Sequence, residues 1–108
     1  MYIAAFHWLP GQYDDQFHQL NARIDAVARA SPGFIGVESW LGADGNRRCA
    51  TYYWRDLASL QAFASDPDHL DAKRDYARWY DGYHIVISQV LRSYGDGRMP
   101  HLAANARS

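Results

Sequence analysis

The N-terminal segment, residues 2–9, is apolar at both alternating sets of positions. Its sequence "YIAAFHWL" places Phe6 and Trp8 on one side of an extended strand and Ile3 and Leu9 on the other. A strand that is apolar on both faces is normally covered by protein on both sides. The pattern therefore predicts an interior strand, which the following dipeptide "PG" ends.

A helical period replaces this alternation between about Gln12 and Ala30. Apolar side chains recur at steps of four, three, four and three, which places them in one stripe on a helix. Acidic residues come early in the segment and arginines come late, as the helix dipole favours. The sequence "SPG" ends the helix. The stripe consists of Tyr13, Phe17, Leu20, Ile24 and Val27.

A β-hairpin is predicted next, because two strand-like runs flank the turn sequence "GADGN". The two strands span residues 34–41 and 47–54. Glu38 lies in the middle of the first strand, where an unpaired buried carboxylate would be costly. We therefore expect Glu38 to pair with Arg47, Arg48 or a buried donor.

The C-terminal half is predicted to add a helix in two parts and a fourth strand. Asp56 caps a short first part, and "SDPDH" restarts the helix with a proline in its first turn. The second part runs to about Asp81, where Gly82 closes it. Residues 83–94 form the last strand, and residues 95–108 form a tail.

The predicted order strand–helix–strand–strand–helix–strand is that of an α+β, ferredoxin-like domain spanning residues 1–94. Two helices cover only one face of a four-stranded sheet. The first and last strands nevertheless carry bulky apolar residues on both faces. Because a large exposed apolar face usually marks an interface, we expect the second face to meet its own copy in a sheet-to-sheet homodimer.

Composition narrows the class of protein. The chain has 108 residues, of which 48% are hydrophobic, so one globular domain is expected. A net charge of -1 offers no basic surface for nucleic acid or an anionic membrane. The single cysteine, Cys49, excludes an internal disulfide and a multi-cysteine zinc site. No run is long enough to span a bilayer and no basic leader precedes the first strand, so we expect a cytoplasmic protein.

Candidate chemistry concentrates in "HLDAKRDYARWYDGYHIV", residues 69–86. On a helical wheel its first histidine, its lysine and its aromatic rings share the side that faces the sheet. A lysine and several tyrosine hydroxyls on an inward face indicate a wet or ligand-filled cavity. The plainer alternatives are an aromatic core, a lysine that reaches solvent and a locally capping histidine. The inward set is His69, Ala72, Lys73, Tyr76, Trp79, Tyr80 and Tyr83.

The segments "GFIGVESW", "ATYYWRDLASLQAFASDPDHLDAKR" and "RWYDGYHIVISQVLRSYG" resemble the antibiotic biosynthesis monooxygenase family. The likeness covers about residues 1–95, and its most specific parts are "YYW" before a helix, "DPDHL" and "WYDGYH". Within the family, the chain looks most like a set of small proteins described as related to monooxygenases. The resemblance implies a ferredoxin-like fold that dimerises through its sheets into an α+β barrel.

Cofactor-free oxygenases of polyketide anthrones and quinols belong to this family, and the resemblance implies the same activity here. These enzymes carry a tryptophan near the substrate at the end of the third strand, where this sequence has Trp54. They also carry an asparagine earlier on that strand. The matching position here is Ala50, which offers no hydrogen bond to a substrate oxygen.

Haem-degrading members of the family are the alternative that the resemblance leaves open. They use an asparagine on the first strand, a tryptophan on the second helix and a histidine further along as iron ligand. This sequence has Phe6 or His7, Phe63 and Lys73 at those positions. His69, one helical turn before the lysine, is the remaining candidate ligand.

Three functions therefore remain open: a cofactor-free monooxygenase of an aromatic, quinol-type molecule, a haem-binding monooxygenase, and a non-catalytic dimer that binds a small molecule. In the first, no cofactor or metal is needed. His69 or His7 takes the substrate proton, and Lys73 stabilises the resulting anion. The strand alternation leaves open whether His7 or Trp8 lines the cavity. The aromatic side chains predicted to bind the substrate are Trp54, Phe63, Tyr76 and Trp79.

Overall fold

The computed structural model describes residues 1–104, which form four strands and three α-helices. The elements are β1 (Tyr2–Pro10), α1 (Asp15–Ala30), β2 (Phe34–Leu41), β3 (Arg48–Trp54), α2 (Leu57–Ala64), α3 (Pro67–Asp75) and β4 (Tyr80–Gln89). The strands form one antiparallel sheet in the order β2-β3-β1-β4. This topology confirms the predicted α+β, ferredoxin-like fold. Among the helices of the described chain, none has the length and apolar character that crossing a bilayer requires.

The register of β1 determines which side chains share a face of the sheet. Tyr2 pairs with Trp54, and Trp8 pairs with Arg48. These positions lie on the helix-covered face, where Trp54 is completely buried. His7 belongs to the alternate set, on the open face that carries no helix. Trp8, and not His7, therefore lies on the side of the helices.

The buried core lies under one end of the helix-covered face. Trp54 packs there with Ala28 of α1 and with Leu60 and Phe63 of α2. Ile24 and the rest of the lower half of the predicted α1 stripe pack against this cluster, so the stripe faces the sheet as expected. The core therefore joins α1 and α2 to the end of β3.

The second helix is shorter than predicted. α3 stops at Asp75, one 3₁₀ turn follows, and Tyr80 already pairs with Pro10 of β1. The Gly11 N–H donates to the Trp79 carbonyl at 2.8 Å and stabilises the start of β4 beside β1. Pairing with β1 thus overrides the helical period that continues in the sequence.

The last strand also ends before the predicted Tyr94. β4 stops at Gln89, and the tail turns back across the open face of its own chain. His101 Nε2 lies 3.1 Å from Glu38 Oε1, and Ala103 is buried. The mid-strand carboxylate is therefore paired with a tail histidine and with the hydroxyl of buried Tyr53, so the expected partner is a buried donor rather than one of the hairpin arginines. The final four residues of the predicted tail lie outside the described part of the chain.

Replacing Gly33 with alanine is expected to destabilise the fold, because the added Cβ would overlap Cβ and Oγ of Ser59. Gly33 is buried, and its carbonyl accepts the Arg55 N–H at 2.8 Å. Overpacking of this kind costs about 1–3 kcal/mol. Thermal unfolding measures the effect, with Gly95→Ala as the control because a Cβ there meets nothing within 4 Å. Equal melting temperatures for the two variants would contradict the prediction.

Candidate active site

One end of the helix-covered face brings three predicted site residues into contact. The ring centroids of Trp54 and Phe63 lie 5.0 Å apart. The ring of His69 packs against Phe63 at 4.7 Å, with the two planes at 86°. Phe63 comes from the last turn of α2 and His69 from the first turn of α3, so the short break between the two helices produces the contact.

Two buried nitrogen atoms of this cluster have no hydrogen-bond partner. They are Trp54 Nε1 and His69 Nδ1, and within residues 1–104 these are the buried side-chain nitrogen and oxygen atoms left without one. Buried polar groups are normally paired, so an unpaired one needs an explanation. The indole N–H is a donor, and Nδ1 is an acceptor when the imidazole proton is on Nε2. A polar ligand atom here would satisfy one or both.

The surroundings of His69 favour the neutral imidazole. Burial lowers its pKa below the ordinary 6.5, the positive charge of Lys73 lowers it further, and Asp66 opposes both. The ring is therefore uncharged at neutral pH and able to accept a proton. A neutral base among aromatic rings suits the removal of an acidic proton from a substrate.

A small, partly open cavity, called the Trp79 cavity below, lies one helical turn further along α3. Its volume is about 30 Å³, which accommodates one or two water molecules. Ala72 lines it and follows His69 by three residues, so the two side chains share one helix face. The cavity is lined by Phe17, Leu20, Asn21, Ile24, Ala72, Trp79 and Tyr80.

Trp79 is held in this cavity by Asp14, a residue that the sequence analysis missed. The Trp79 Nε1–H donates to Asp14 Oδ1 at 3.1 Å, and the same oxygen caps α1 by accepting the Phe17 N–H at 2.8 Å. The hydrogen bond from Phe17 is the main cause that lowers the Asp14 pKa, against desolvation. The sequence "YDDQF" contains the capping signal, but a contact across 65 positions leaves no local trace.

Two other predicted residues lie at the surface. Lys73 is exposed, although the helical wheel places it inward. α3 is short and none of its side chains is fully buried, so the flexible side chain of Lys73 extends into solvent. Tyr76 follows the end of α3, is exposed, and packs its ring against Tyr83 at 4.7 Å. In residues 1–104 no ring contact or side-chain hydrogen bond joins Tyr76 or Lys73 to the Trp54–Phe63–His69 cluster, and Lys73 acts on His69 through its charge.

The two histidines predicted as alternative bases lie on opposite faces of the sheet. His7 Nε2 is 3.8 Å from Cys49 Sγ, and its Nδ1 is 3.4 Å from a guanidinium nitrogen of Arg47, all on the open face. His69 alone faces the helix-covered side. A substrate bound beside Trp54 therefore has His69, and not His7, within reach.

The sequence profile of the family described as monooxygenase af470-like matches residues 4–88 of this chain. The chain belongs to this monooxygenase family. The match extends from β1 to β4 and includes the Trp54–Phe63–His69 cluster together with Trp79. It confirms at family level the monooxygenase resemblance seen in the sequence.

Similar proteins place this monooxygenase-family chain among known folds. The uncharacterized protein YqjZ of Bacillus subtilis (strain 168) is 28% identical over 92 residues, which are 84% of this chain and 80% of that protein. SnoaB, a cofactor-independent oxygenase from Streptomyces nogalater, superposes with a TM-score of 0.66 at 14% identity, over 85% of this chain and 94% of SnoaB. A structure described as an antibiotic biosynthesis monooxygenase gives 0.65 at 10% identity, over 85% of this chain and 100% of the other. At these identities the two structures demonstrate a shared fold.

The environment of His69 does not fit a haem ligand. A ligating histidine normally has a hydrogen-bond partner on its second ring nitrogen, whereas Nδ1 has none in the described chain. Phe63 also packs against the imidazole ring. These observations disfavour the haem alternative.

The lowered pKa of His69 predicts that acid weakens the fold. Between the folded-state pKa and the ordinary value of 6.5, the unfolded chain binds more protons at this site than the folded chain. The free energy of unfolding therefore falls as the pH drops through 6.5, and this contribution stops changing below the folded-state pKa. In His69→Gln this contribution is absent, so the free energy of unfolding falls less steeply as the pH drops.

Urea unfolding at a series of pH values measures this difference. His18→Gln, on the exposed side of α1, is the control and should follow the parent protein. If His69→Gln loses stability with acid as steeply as the parent, the assignment is wrong.

Proposed function

We propose that this protein is a cofactor-independent monooxygenase that adds an oxygen atom of O₂ to a planar, electron-rich aromatic molecule of the anthrone or quinol type. The observation that carries the proposal is the pair of unpartnered buried nitrogens, Trp54 Nε1 and His69 Nδ1, whose rings both contact Phe63. Membership of a monooxygenase family supports the reaction class. SnoaB, which shares the fold, is described as cofactor-independent, and this supports the absence of a cofactor.

The substrate oxygen accepts the Trp54 Nε1–H, and the aromatic plane lies against Phe63, with Trp79 at the far end. Since the Trp79 cavity accommodates only water, binding requires α3 to move away from the sheet. Two features make this movement inexpensive. No side chain of α3 is fully buried, and the side-chain ion pair that ties α3 to α1, Arg23 Nε to Asp68 Oδ1 at 3.3 Å, is partly exposed. Exposed pairs of this kind contribute about 0–1 kcal/mol.

The reaction needs no outside reductant, because the substrate supplies all the electrons. His69 Nδ1 removes a proton from the activated CH₂ group of an anthrone, which leaves a resonance-stabilised carbanion. The carbanion reduces O₂ by one electron, and the two radicals combine into a C–O bond, giving a peroxide. The imidazolium returns its proton to the peroxide anion, and the resulting hydroperoxide loses its remaining C–H proton and hydroxide, which leave as water, so that the carbon becomes a carbonyl. In sum CH₂ and O₂ become C=O and H₂O, and the imidazole returns to its neutral form.

The protein's contribution is to form the anion in a dry site and to keep it beside O₂. Neutral His69 takes the proton, and the nearby positive charge of Lys73 favours the anion. The rings of Trp54, Phe63 and Trp79 exclude water, which would otherwise protonate the carbanion. Tyr76 lies at the outer edge of α3, where its ring can close over a bound substrate.

An oxygen electrode tests the proposal directly. The purified protein, without flavin, haem or added metal, is mixed with a panel of anthrones and quinols, and oxygen uptake is recorded. We expect uptake well above the spontaneous rate for at least one member, with one water formed and one carbonyl gained for each O₂ consumed. Uptake at the spontaneous rate across the panel, together with no binding of any member, contradicts the proposal.

A non-catalytic small-molecule binder is the second candidate, and the size of the Trp79 cavity favours it. A space of about 30 Å³ is far below that of usual ligand pockets. If aromatic molecules bind to the protein and oxygen uptake stays at the spontaneous rate, this second function is the correct one.

We also propose that the protein acts as a homodimer joined through the open face. Val86, on the open-face side of β4, is 44% exposed, and Trp40 on the same face of β2 is 61% exposed. The docked tail covers Tyr53 and the part of β2 near Gly36, while Trp40 at the other end of β2 stays exposed. The β1–β4 half is left uncovered, and it is this half that we expect to meet the partner.

A further inference from the structure

A second opening lies at the other end of the sheet from the Trp54–Phe63–His69 cluster. It is a groove of about 270 Å³ lined by Trp8, Pro10, Tyr13 and Arg48, called the Arg48 groove below. Arg48 and Trp54 are six residues apart on β3 and face the same side, so about 20 Å separates the two places. The Arg48 groove is therefore distinct from the proposed active site.

Of the four residues that line this groove in the described part of the chain, Arg48 carries the charge. It is half-buried between Trp8 of β1 and Leu41 of β2. Within residues 1–104 its guanidinium makes no ion pair and no side-chain hydrogen bond. A guanidinium with five N–H donors and no acceptor in a partly desolvated groove favours an anion, best a carboxylate that binds both donors of its fork.

Tyr13 places a second donor in the groove. Its hydroxyl oxygen accepts the Trp8 Nε1–H at 2.8 Å. That contact uses a lone pair of the oxygen, so the hydroxyl proton stays available to donate. Arg48 and Tyr13 line the same groove, and both offer N–H or O–H donors to an anion bound in it.

The walls of the groove suit a flat ring. Trp8 is stacked on Phe6 with centroids 5.0 Å apart and planes 20° apart. Tyr13 is stacked on Phe17 at 4.3 Å and 8°. Each wall is thus backed by a second ring, which fixes its orientation before a ligand arrives. The groove is slightly smaller than pockets for drug-sized ligands, which matches a ligand of one or two fused rings.

We propose that the Arg48 groove is a binding site for planar aromatic carboxylates of one or two rings, with the carboxylate on Arg48 and Tyr13 and the ring against Trp8 and Pro10. This site goes beyond the proposed oxygenase function and does not depend on it. Tyr80 connects the two regions, since its ring lies 6.0 Å from Trp8 and also lines the Trp79 cavity. A ligand in the groove would thus lie one ring away from that cavity.

Isothermal titration calorimetry with 1-naphthoate tests the site on the full-length protein. We expect a dissociation constant below about 1 mM and binding at least roughly tenfold weaker for the uncharged 1-naphthamide, as the loss of a charge-assisted hydrogen bond predicts. In Arg48→Gln the affinity for 1-naphthoate should fall by a similar factor. Arg55→Gln, which removes an exposed arginine at the opposite end of β3, is the matched control and should bind like the parent.

NMR places the ligand independently of any variant. Addition of 1-naphthoate should shift the indole N–H signal of Trp8 and leave that of Trp40, on the open face, in place. The proposal is overturned if 1-naphthoate does not bind at millimolar concentration, or if the amide binds as well as the acid. It is equally overturned if a folded Arg48→Gln keeps the parent affinity. None of these outcomes bears on oxygen uptake at His69.

Discussion

Val86→Asp is expected to convert the proposed homodimer into a monomer. Val86 lies opposite Ala5 on the open face, in the half of the sheet that the tail leaves uncovered, and it is 44% exposed in the single chain. Across a two-fold axis the substitution enters twice. The dimer can bury only the exposed part of each Val86, so losing this burial twice costs about 1–3 kcal/mol, and two unpaired carboxylates at the interface add to that cost. The dissociation constant of the dimer should therefore rise by at least roughly 10–100-fold.

Sedimentation velocity at about ten micromolar, a concentration well above typical dimer dissociation constants, measures the change. The parent protein should sediment with twice the mass of one chain, and Val86→Asp with the mass of one. Leu70→Asp is the matched control, because Leu70 is 49% exposed on α3, on the opposite side of the sheet. It should remain dimeric. A parent protein that sediments as a compact monomer contradicts the dimer and removes the reason for the apolar open face.

Local signals were sufficient for most of the fold. The apolar stripe of α1, the turn at Gly45 and the cap at Asp56 each depend on signals within a few residues, and each is where the pattern predicts it. The end of α3 was missed because its cause is not local. Tyr80 leaves the helical path to pair with Pro10, a contact across most of the chain that competes with helix propensity only in the folded state.

The same distinction applies to the candidate site. Trp54, Phe63 and His69 lie within sixteen positions of each other, and the strand–helix–helix succession brings them together without long-range information. Asp14, which anchors Trp79, was missed because the two are far apart in sequence. The faces of His7 and Trp8 stayed undecided, because a shift of one residue in strand register exchanges them. The contact of His101 with Glu38 was also missed, because these two residues are far apart in sequence.

His69→Gln is expected to lower oxygenase turnover by roughly 10²–10⁴-fold, the usual contribution of a general base. Glutamine retains polarity and much of the imidazole volume, but it accepts no proton at neutral pH. Turnover of the best substrate from the anthrone and quinol panel is followed with an oxygen electrode. His18→Gln on α1 is the control and should retain the parent rate. Melting temperatures of all variants establish that the comparison is between folded proteins.

The pH profile separates a proton-accepting role of His69 from a structural one. Because its pKa lies below 6.5, kcat/KM of the parent should rise with pH on the acid side with a midpoint below that value. A structural role would lower the rate of His69→Gln but keep this acidic limb. If His69 is the base, the acidic limb disappears from the profile of His69→Gln. The residual rate then follows only the ionisation of the substrate itself. His7→Gln decides between the two histidines, since a base on the open face would leave the limb of His69→Gln intact and abolish that of His7→Gln. That outcome would move the proton-accepting step to the other side of the sheet, away from Trp54 and its unpartnered indole nitrogen.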